Sequence, residues 1–268
     1  VGATFAARAP HPWLRGVVLG YEGYTEQSPD PVLFRELPCS FVPIIIDLES
    51  GWTVSQAGRP STVMGSFVGG ITDGPVLVEH DGHATCLQVN LTALGARRLL
   101  GVPMHEIANR TVALDDVLGS AGRQLVQLAG DAADWPGRFD CMDRVLAARL
   151  AQAPEPDTEL AWSLARITAR PIGDLAAELG WSHRRLIARY RDAVGLPPKT
   201  VARIVRFEKL TSRLKGSSTV DWAAFAAECG FFDQAHLSRE VRELTGQTPT
   251  ELLASMVNFV QDGVAMPS

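Results

Sequence analysis

Between Gln234 and Arg239 the sequence QAHLSR gathers an amide, an imidazole, a hydroxyl and a guanidinium on a short stretch that reads as helix. An amide can pair bidentately with adenine and a guanidinium with guanine, so such a set suits the edges of bases. The surrounding stretch is CGFFDQAHLSREV, residues 229–241, in which a glycine closes one helix and Asp233 opens the next. The chain as a whole is acidic, with a formal net charge of −5. A face for a polyanion therefore requires that charge be segregated along the sequence. Residues 160–254 hold 14 Lys and Arg against 10 Asp and Glu, whereas residues 1–159 hold 11 against 19. One part is suited to meet a polyanion and the other is not.

The same arrangement occurs a second time upstream. IGDLAAELGWSHRRLIARYRDAVGLPP (172–198) and WAAFAAECGFFDQAHLSREVRELTGQTP (222–249) each contain an Ala-rich helix, a glycine, an aromatic, a polar cap and a second helix ending at glycine. With Gly180 set on Gly230, Trp181 meets Phe231. Leu186 then matches Leu237, and Gly195 matches Gly246, each with a slip of one residue. Ala176 and Ala177, like Ala226 and Ala227, leave room for a helix to cross closely. Gly180 and Gly230 supply the positive φ of a tight turn, and Ser182 and Asp233 are N-cap residues. Leu186 with Tyr190, and Leu237 with Val241, are four apart and point inward. Trp181, Phe231 and Phe232 read as core. Each unit is thus a helix-turn-helix whose free face can enter a groove of DNA. Between them PKTVARIVRFEKLTSRLK (198–215) has Val201, Ile204, Val205, Phe207 and Leu210 to pack on both units. It predicts a helix of roughly 25 Å, able to hold two recognition helices about one turn of DNA, roughly 34 Å, apart.

On these residues the segment 160–254 resembles the DNA-binding domain of AraC/XylS-type transcription regulators. The resemblance rests on the doubled unit, on RFEKLTSRLK (206–215), and on the closing GF, LSREVRELTGQTPTEL pattern. It implies double-stranded DNA as partner, with His183, Arg184, Ile187 and Ala188 exposed on the first recognition helix. The base-contacting positions there are those of Arg184, Ile187 and Ala188. Ile187 and Ala188 depart from the usual polar character and suit thymine methyl groups. Arg185, Arg189 and Arg191 fall to phosphate or acidic neighbours. Gln234, Ala235, His236, Ser238 and Arg239 form the matching surface of the second helix, with pairing to Glu243 an alternative role for Arg239. RNA polymerase, a small-molecule effector and a second copy of the chain in a homodimer are further partners the resemblance implies.

The preceding residues must carry the other half of such a regulator. PVLFREL, FVPIIIDL, VMGSFVGG and PVLVEH are short, β-branched runs separated by Gly, Pro, Ser and Asp clusters. In EHDGHATCLQVNL (79–91) the pair Asp81-Gly82 predicts a hairpin. From Thr92 the texture turns helical: TALGARRLLG, DDVLGSAGRQLVQLAG and PGRFDCMDRVLAARL follow, the last opened by Pro136. AQAPEPDTE (151–159) has the composition of a linker. The expected fold is α+β. Residues 1–155 are a β-rich, barrel-like (cupin-like) sensor or oligomerisation domain with trailing helices. Residues 156–268 are an all-α double helix-turn-helix domain.

Other functions lack their chemistry. His80 and His83 flank the Asp81-Gly82 turn without the further ligands a metal site needs, and the sequence calls for no cofactor. Cys39, Cys86, Cys141 and Cys229 form no CxxC pair and read as reduced, buried thiols. Trp13, Tyr21 and Trp52 suit an effector pocket or the core equally, so no effector residue is assigned. No nucleophile–base set or carboxylate pair stands out. An enzymatic amino-terminal half, or a DNA-repair fusion with a methyl-accepting cysteine, is the alternative reading. No apolar run reaches the roughly 20 residues of a membrane span and no secretory signal is visible; the expected location is the cytoplasm.

Overall fold

The computed structural model describes residues 2–49, 51–215 and 220–261. Ten strands come first: β1 (Gly2–Arg8), β2 (Val18–Gln27), β3 (Val32–Glu36), β4 (Phe41–Asp47), β5 (Trp52–Gln56), β6 (Thr62–Met64), β7 (Phe67–Gly69), β8 (Val76–His80), β9 (His83–Thr92) and, after one helix, β10 (Thr111–Ala113). They form two antiparallel sheets, of order β1-β2-β9-β4-β7-β10 and β3-β8-β5-β6. The sheets face each other without closing, so the barrel-like half is an open two-sheet stack. The Asp81-Gly82 expectation needs a correction. The turn joins β8 to β9, but β8 pairs with β3 and β5 while β9 pairs with β2 and β4. It is a corner between sheets. The Ser28 N–H bonds the Gly82 carbonyl at 2.8 Å, holding the corner to the end of β2.

The apolar run of β4 explains itself in this arrangement. Ile44 and Ile46 enter a core shared with the helices, whereas Ile45 enters the space between the sheets with Tyr24, Trp52, Val54, Phe67, Val78, Ala84 and Cys86. Both faces of the strand are buried, so alternation with polar residues is lost. Helices cover the outer face of the larger sheet. These are α1 (Ala93–Leu100), capped by Thr92 and stopped at Gly101, α2 (Leu114–Leu118), α3 (Ser120–Asp131) and α4 (Trp135–Leu150). Pro136 does lie in the first turn of α4, behind an Asp134 cap that accepts the Gly137 N–H at 2.8 Å.

No helix or strand spans 151–157. Among the described residues seven helices follow: α5 (Thr158–Leu164), α6 (Ile172–Glu178), α7 (His183–Ala193), α8 (Pro198–Leu214), α9 (Trp222–Cys229), α10 (Gln234–Thr245) and α11 (Pro249–Gln261). The buried apolar cluster that starts at Leu14 continues without a break through Leu186, Tyr190, Phe207 and Leu237 to Leu253. Polar bonds add to it. Arg97 on α1 pairs with Asp192 on α7 at 3.2 Å. Ser40 donates through N and Oγ to Glu208 on α8 at 2.7 and 2.6 Å. Arg35 on β3 donates to the Thr245 carbonyl of α10 at 2.5 Å.

Candidate nucleic-acid interface

The two helix-turn-helix units are closed by the same backbone bonds. The Trp181 N–H reaches the Ala176 carbonyl and the Phe231 N–H reaches the Ala226 carbonyl, both at 2.9 Å. Gly180 and Gly230, at φ +63° and +84°, supply the left-handed residue this closure needs. Ser182 then caps α7 by accepting the Arg185 N–H at 3.1 Å, and Asp233 caps α10 by accepting the His236 N–H at 2.7 Å. The one-residue slip lies here. The cap follows the glycine by two positions in the first unit and by three in the second. Beyond the turn the register is uniform, so Leu186 matches Leu237, Ile187 matches Ser238, Ala188 matches Arg239, and Tyr190 matches Val241. Leu186, Tyr190, Leu237 and Val241 are fully buried, and the Tyr190 hydroxyl lies 2.8 Å from Ser163 Oγ on α5.

These anchors leave one face of each recognition helix open. His183, Arg184, Arg185 and Ala188 are exposed on α7, as are Gln234, Ala235 and Arg239 on α10; Ile187, His236 and Ser238 are half-buried. The arginines divide by partner. Arg185 stacks on Trp181, with its guanidinium carbon 4.8 Å from the ring centre, and Arg189 pairs with Asp157. Arg191 lines a cleft of about 400 Å³ with His105, Ala188, Asp192 and Gly195, where α7 meets the β half. Arg184 and Arg239 have no side-chain partner among the described residues.

The alternative role for Arg239 is corrected, because Glu243 pairs with Arg203 of α8. Glu240, nearly buried, meets Arg206 at 3.0 Å, Arg203 at 3.3 Å and His236 Nε2 at 3.2 Å. His236 Nδ1 accepts the Phe232 N–H at 3.2 Å. Both ring nitrogens of His236 are thus engaged within the protein, and its ring braces the turn against α8. The core expectation for the three aromatics holds for Trp181 and Phe231 but fails for Phe232, which is 91% exposed. Arg242, one turn beyond Arg239 and also exposed, went unnoticed in the sequence; its match to Arg191 in the other unit was the available signal.

In the β half, His80 is buried against Tyr24 and accepts the Gly82 N–H through Nδ1 at 3.2 Å. Burial pulls its imidazolium below the usual range. No cluster of three or more metal-binding side chains occurs among the described residues. Tyr21 and Trp52 are core residues and Trp13 is exposed. Burial pushes the Cys39, Cys86 and Cys229 thiols up. Inside the sheets Gln88, Asn90 and Glu22 form a hydrogen-bonded row that leaves Glu22 Oε2 buried and unpartnered.

Residues 175–255 match the family model described as a helix-turn-helix domain. This helical half is an AraC/XylS-type helix-turn-helix domain. Residues 7–113, in the β half, match a domain of unknown function (DUF6597). No curated protein matches the chain. Among solved structures, an apo variant of ToxT from Vibrio cholerae is 12% identical and similar over 93% of this chain and 100% of its own, with a TM-score of 0.47. Wild-type ToxT with an unsaturated fatty acid bound is 13% identical over 97% and 100%, also at 0.47. The AraC-like transcriptional activator CuxR is 16% identical over 81% and 90%, at 0.27. No helix among the described residues is long and apolar enough to cross a membrane.

Proposed function

We propose that residues 156–268 bind double-stranded DNA by setting α7 and α10 into major grooves on one face of the duplex, with α8 as the spacer between them. The observation that carries this reading is the pair of turns closed by the same backbone bond, each followed by a side-chain cap. Each presents an open polar face backed by fully buried anchors. His183, Arg184, Ile187 and Ala188 read bases from α7, and Gln234, Ala235, Ser238 and Arg239 from α10. Arg185 serves phosphate, and His236 acts by holding the second turn in place.

The β half, residues 1–155, acts as sensor and oligomerisation domain, and a small-molecule effector bound there changes how it holds α7 and α10. The bonds from Arg97, Ser40 and Arg35 to the helical half supply the route for that influence. The unmet hydrogen-bonding capacity at Glu22 marks an interior polar enough for a ligand. The protein works in the cytoplasm as a regulator without catalytic activity, and a homodimer and RNA polymerase are its further partners. The raised thiols of half-buried Cys39 and buried Cys86 speak against a methyl-accepting cysteine, because the thiolate is the nucleophile.

Selection of bound sequences from a random DNA pool with the full chain tests the DNA reading. A defined motif should emerge, and its affinity should fall as salt rises. Absence of any enriched sequence counts against the assignment. A metabolite panel scored by thermal shift tests the sensor role.

A further inference from the structure

We propose that Phe232 reads DNA through its ring, which meets a thymine methyl group at the edge of the major groove entered by α10. The proposal rests on the DNA-binding reading above and adds a residue that its polar face does not include.

Phe232 is the most exposed of the large apolar side chains among the described residues, whereas its neighbour Phe231 is 5% exposed. It is also the residue by which the two turns differ. The first unit runs Gly180-Trp181-Ser182 and the second Gly230-Phe231-Phe232-Asp233, with Ser182 and Asp233 as the caps. An added turn residue facing water has no packing reason to be a phenylalanine.

The backbone around Phe232 is held on three sides. Phe231 N–H is bound to Ala226, Phe232 N–H to His236 Nδ1, and Asp233 caps the helix. His236 is in turn fastened to Glu240, which is bound to α8. The backbone therefore projects the phenyl group into solvent from a fixed position two residues before exposed Gln234, at the N-terminal end of α10. That end of a recognition helix contacts base edges. The apolar group offered by the major groove is the C5-methyl of thymine. A ring brought against that methyl removes apolar surface of both from water, and cytosine at the same place has no methyl to offer. The first unit has no counterpart to Phe232, so the thymine preference that depends on this ring should appear in one half of the operator only, whatever Ile187 and Ala188 contact in the other.

The test uses the full chain and an operator obtained from the random pool. Thymines are replaced one at a time by deoxyuridine, which removes only the methyl. Wild type should lose about fourfold in affinity at one thymine flanking the α10 contacts, the worth of one buried methyl group. Phe232→Ala should bind the unmodified operator at least that much more weakly and should be indifferent to uracil at that position. Its melting temperature should match wild type, because the ring packs on nothing it would leave behind. Two results overturn the proposal: unchanged affinity in Phe232→Ala, or weaker binding with the thymine–uracil difference intact, as a ring on deoxyribose would give. If a motif is enriched but the two changes are independent, the Phe232 assignment falls and the DNA reading stands. If no motif is enriched, both fall.

Discussion

Arg239 and Glu240 are adjacent on α10 and face opposite fates. Glu240 turns inward to Arg203, Arg206 and His236, and Arg239 turns outward with no side-chain partner among the described residues. With Glu243 taken by Arg203, the intrahelical explanation for Arg239 is removed, which leaves base or phosphate. Arg239→Ala should weaken operator binding by about 1–3 kcal/mol and relax preference at one base pair if the contact is to a base. A phosphate contact would weaken all sequences together and lower the salt slope by about one. Affinities for single-base operator variants at two salt concentrations separate these, and unchanged binding to all of them would remove Arg239 from the interface. Glu22 offers a test in the β half. Burial first, and then the nearby Glu36, hold its carboxyl up at about 7 from an ordinary 4.5, against the Asn90 hydrogen bond and the Lys215 charge. The folded chain thus keeps a proton that the unfolded chain releases earlier. The stability linked to this group is fully present below the unfolded value and is lost as pH rises towards 7. Glu22→Gln should flatten the decline of stability between pH 5 and pH 7.5. It should raise stability at pH 8 by on the order of 2 kcal/mol. Parallel pH profiles of melting for the two proteins would contradict it.

The capped turns are the elements on which the interface depends, and they separate two kinds of sequence signal. Asp233→Ala removes the acceptor for the His236 N–H and should destabilise by about 1 kcal/mol, with DNA affinity falling further because Phe232, Gln234 and His236 lose their common support. Gly230→Ala forces a side chain onto φ +84° and should cost a similar amount. Chemical denaturation would register both, and a null effect of Asp233→Ala would mean that the cap is not what orders the turn. These turns were legible beforehand because each residue acts locally: a glycine at the left-handed position, a short polar cap, and leucines four apart. The strands were less so. GATFAAR and VLGYEGYTEQ, the sequences of β1 and β2, carry too few β-branched residues to stand out, yet β1 pairs with β2 along its whole length. The Asp81-Gly82 pair correctly marked a reversal but could not say which strands would pair, since that is settled by partners far away in sequence. Phe232 was misjudged for a similar reason. An aromatic beside an aromatic suggests core, and only the position of the cap shows that the second one is turned out.

At the scale of the whole molecule, the two halves are one mechanical object. The apolar cluster is continuous from Leu14 to Leu253, so the β half does not merely trail the DNA-binding half on the 151–157 stretch. The backbones of the two halves come close at Gly195, after α7. Its φ is +99°, and a Cβ there would lie 2.9 Å from the Met104 carbonyl oxygen and 3.0 Å from the Ala108 methyl. Gly195→Ala therefore strains the backbone and wedges the first helix-turn-helix unit away from the β half at once. Glu208→Ala, on α8, removes both bonds from Ser40, one of them to a backbone N–H. Wild type should unfold in a single calorimetric transition, because a shared core makes each half support the other. The double variant Gly195→Ala/Glu208→Ala should resolve two transitions, with the β-half and helical-half signals separating on heating. If the hold on α7 and α10 restrains their spacing, the same variant should also shift operator affinity in a way that Glu22→Gln does not, since Glu22 lies inside the β half and touches neither helix. A single transition preserved in the double variant, together with unchanged operator binding, would show that the interdomain bonds transmit nothing and would confine regulation to oligomerisation of the β half.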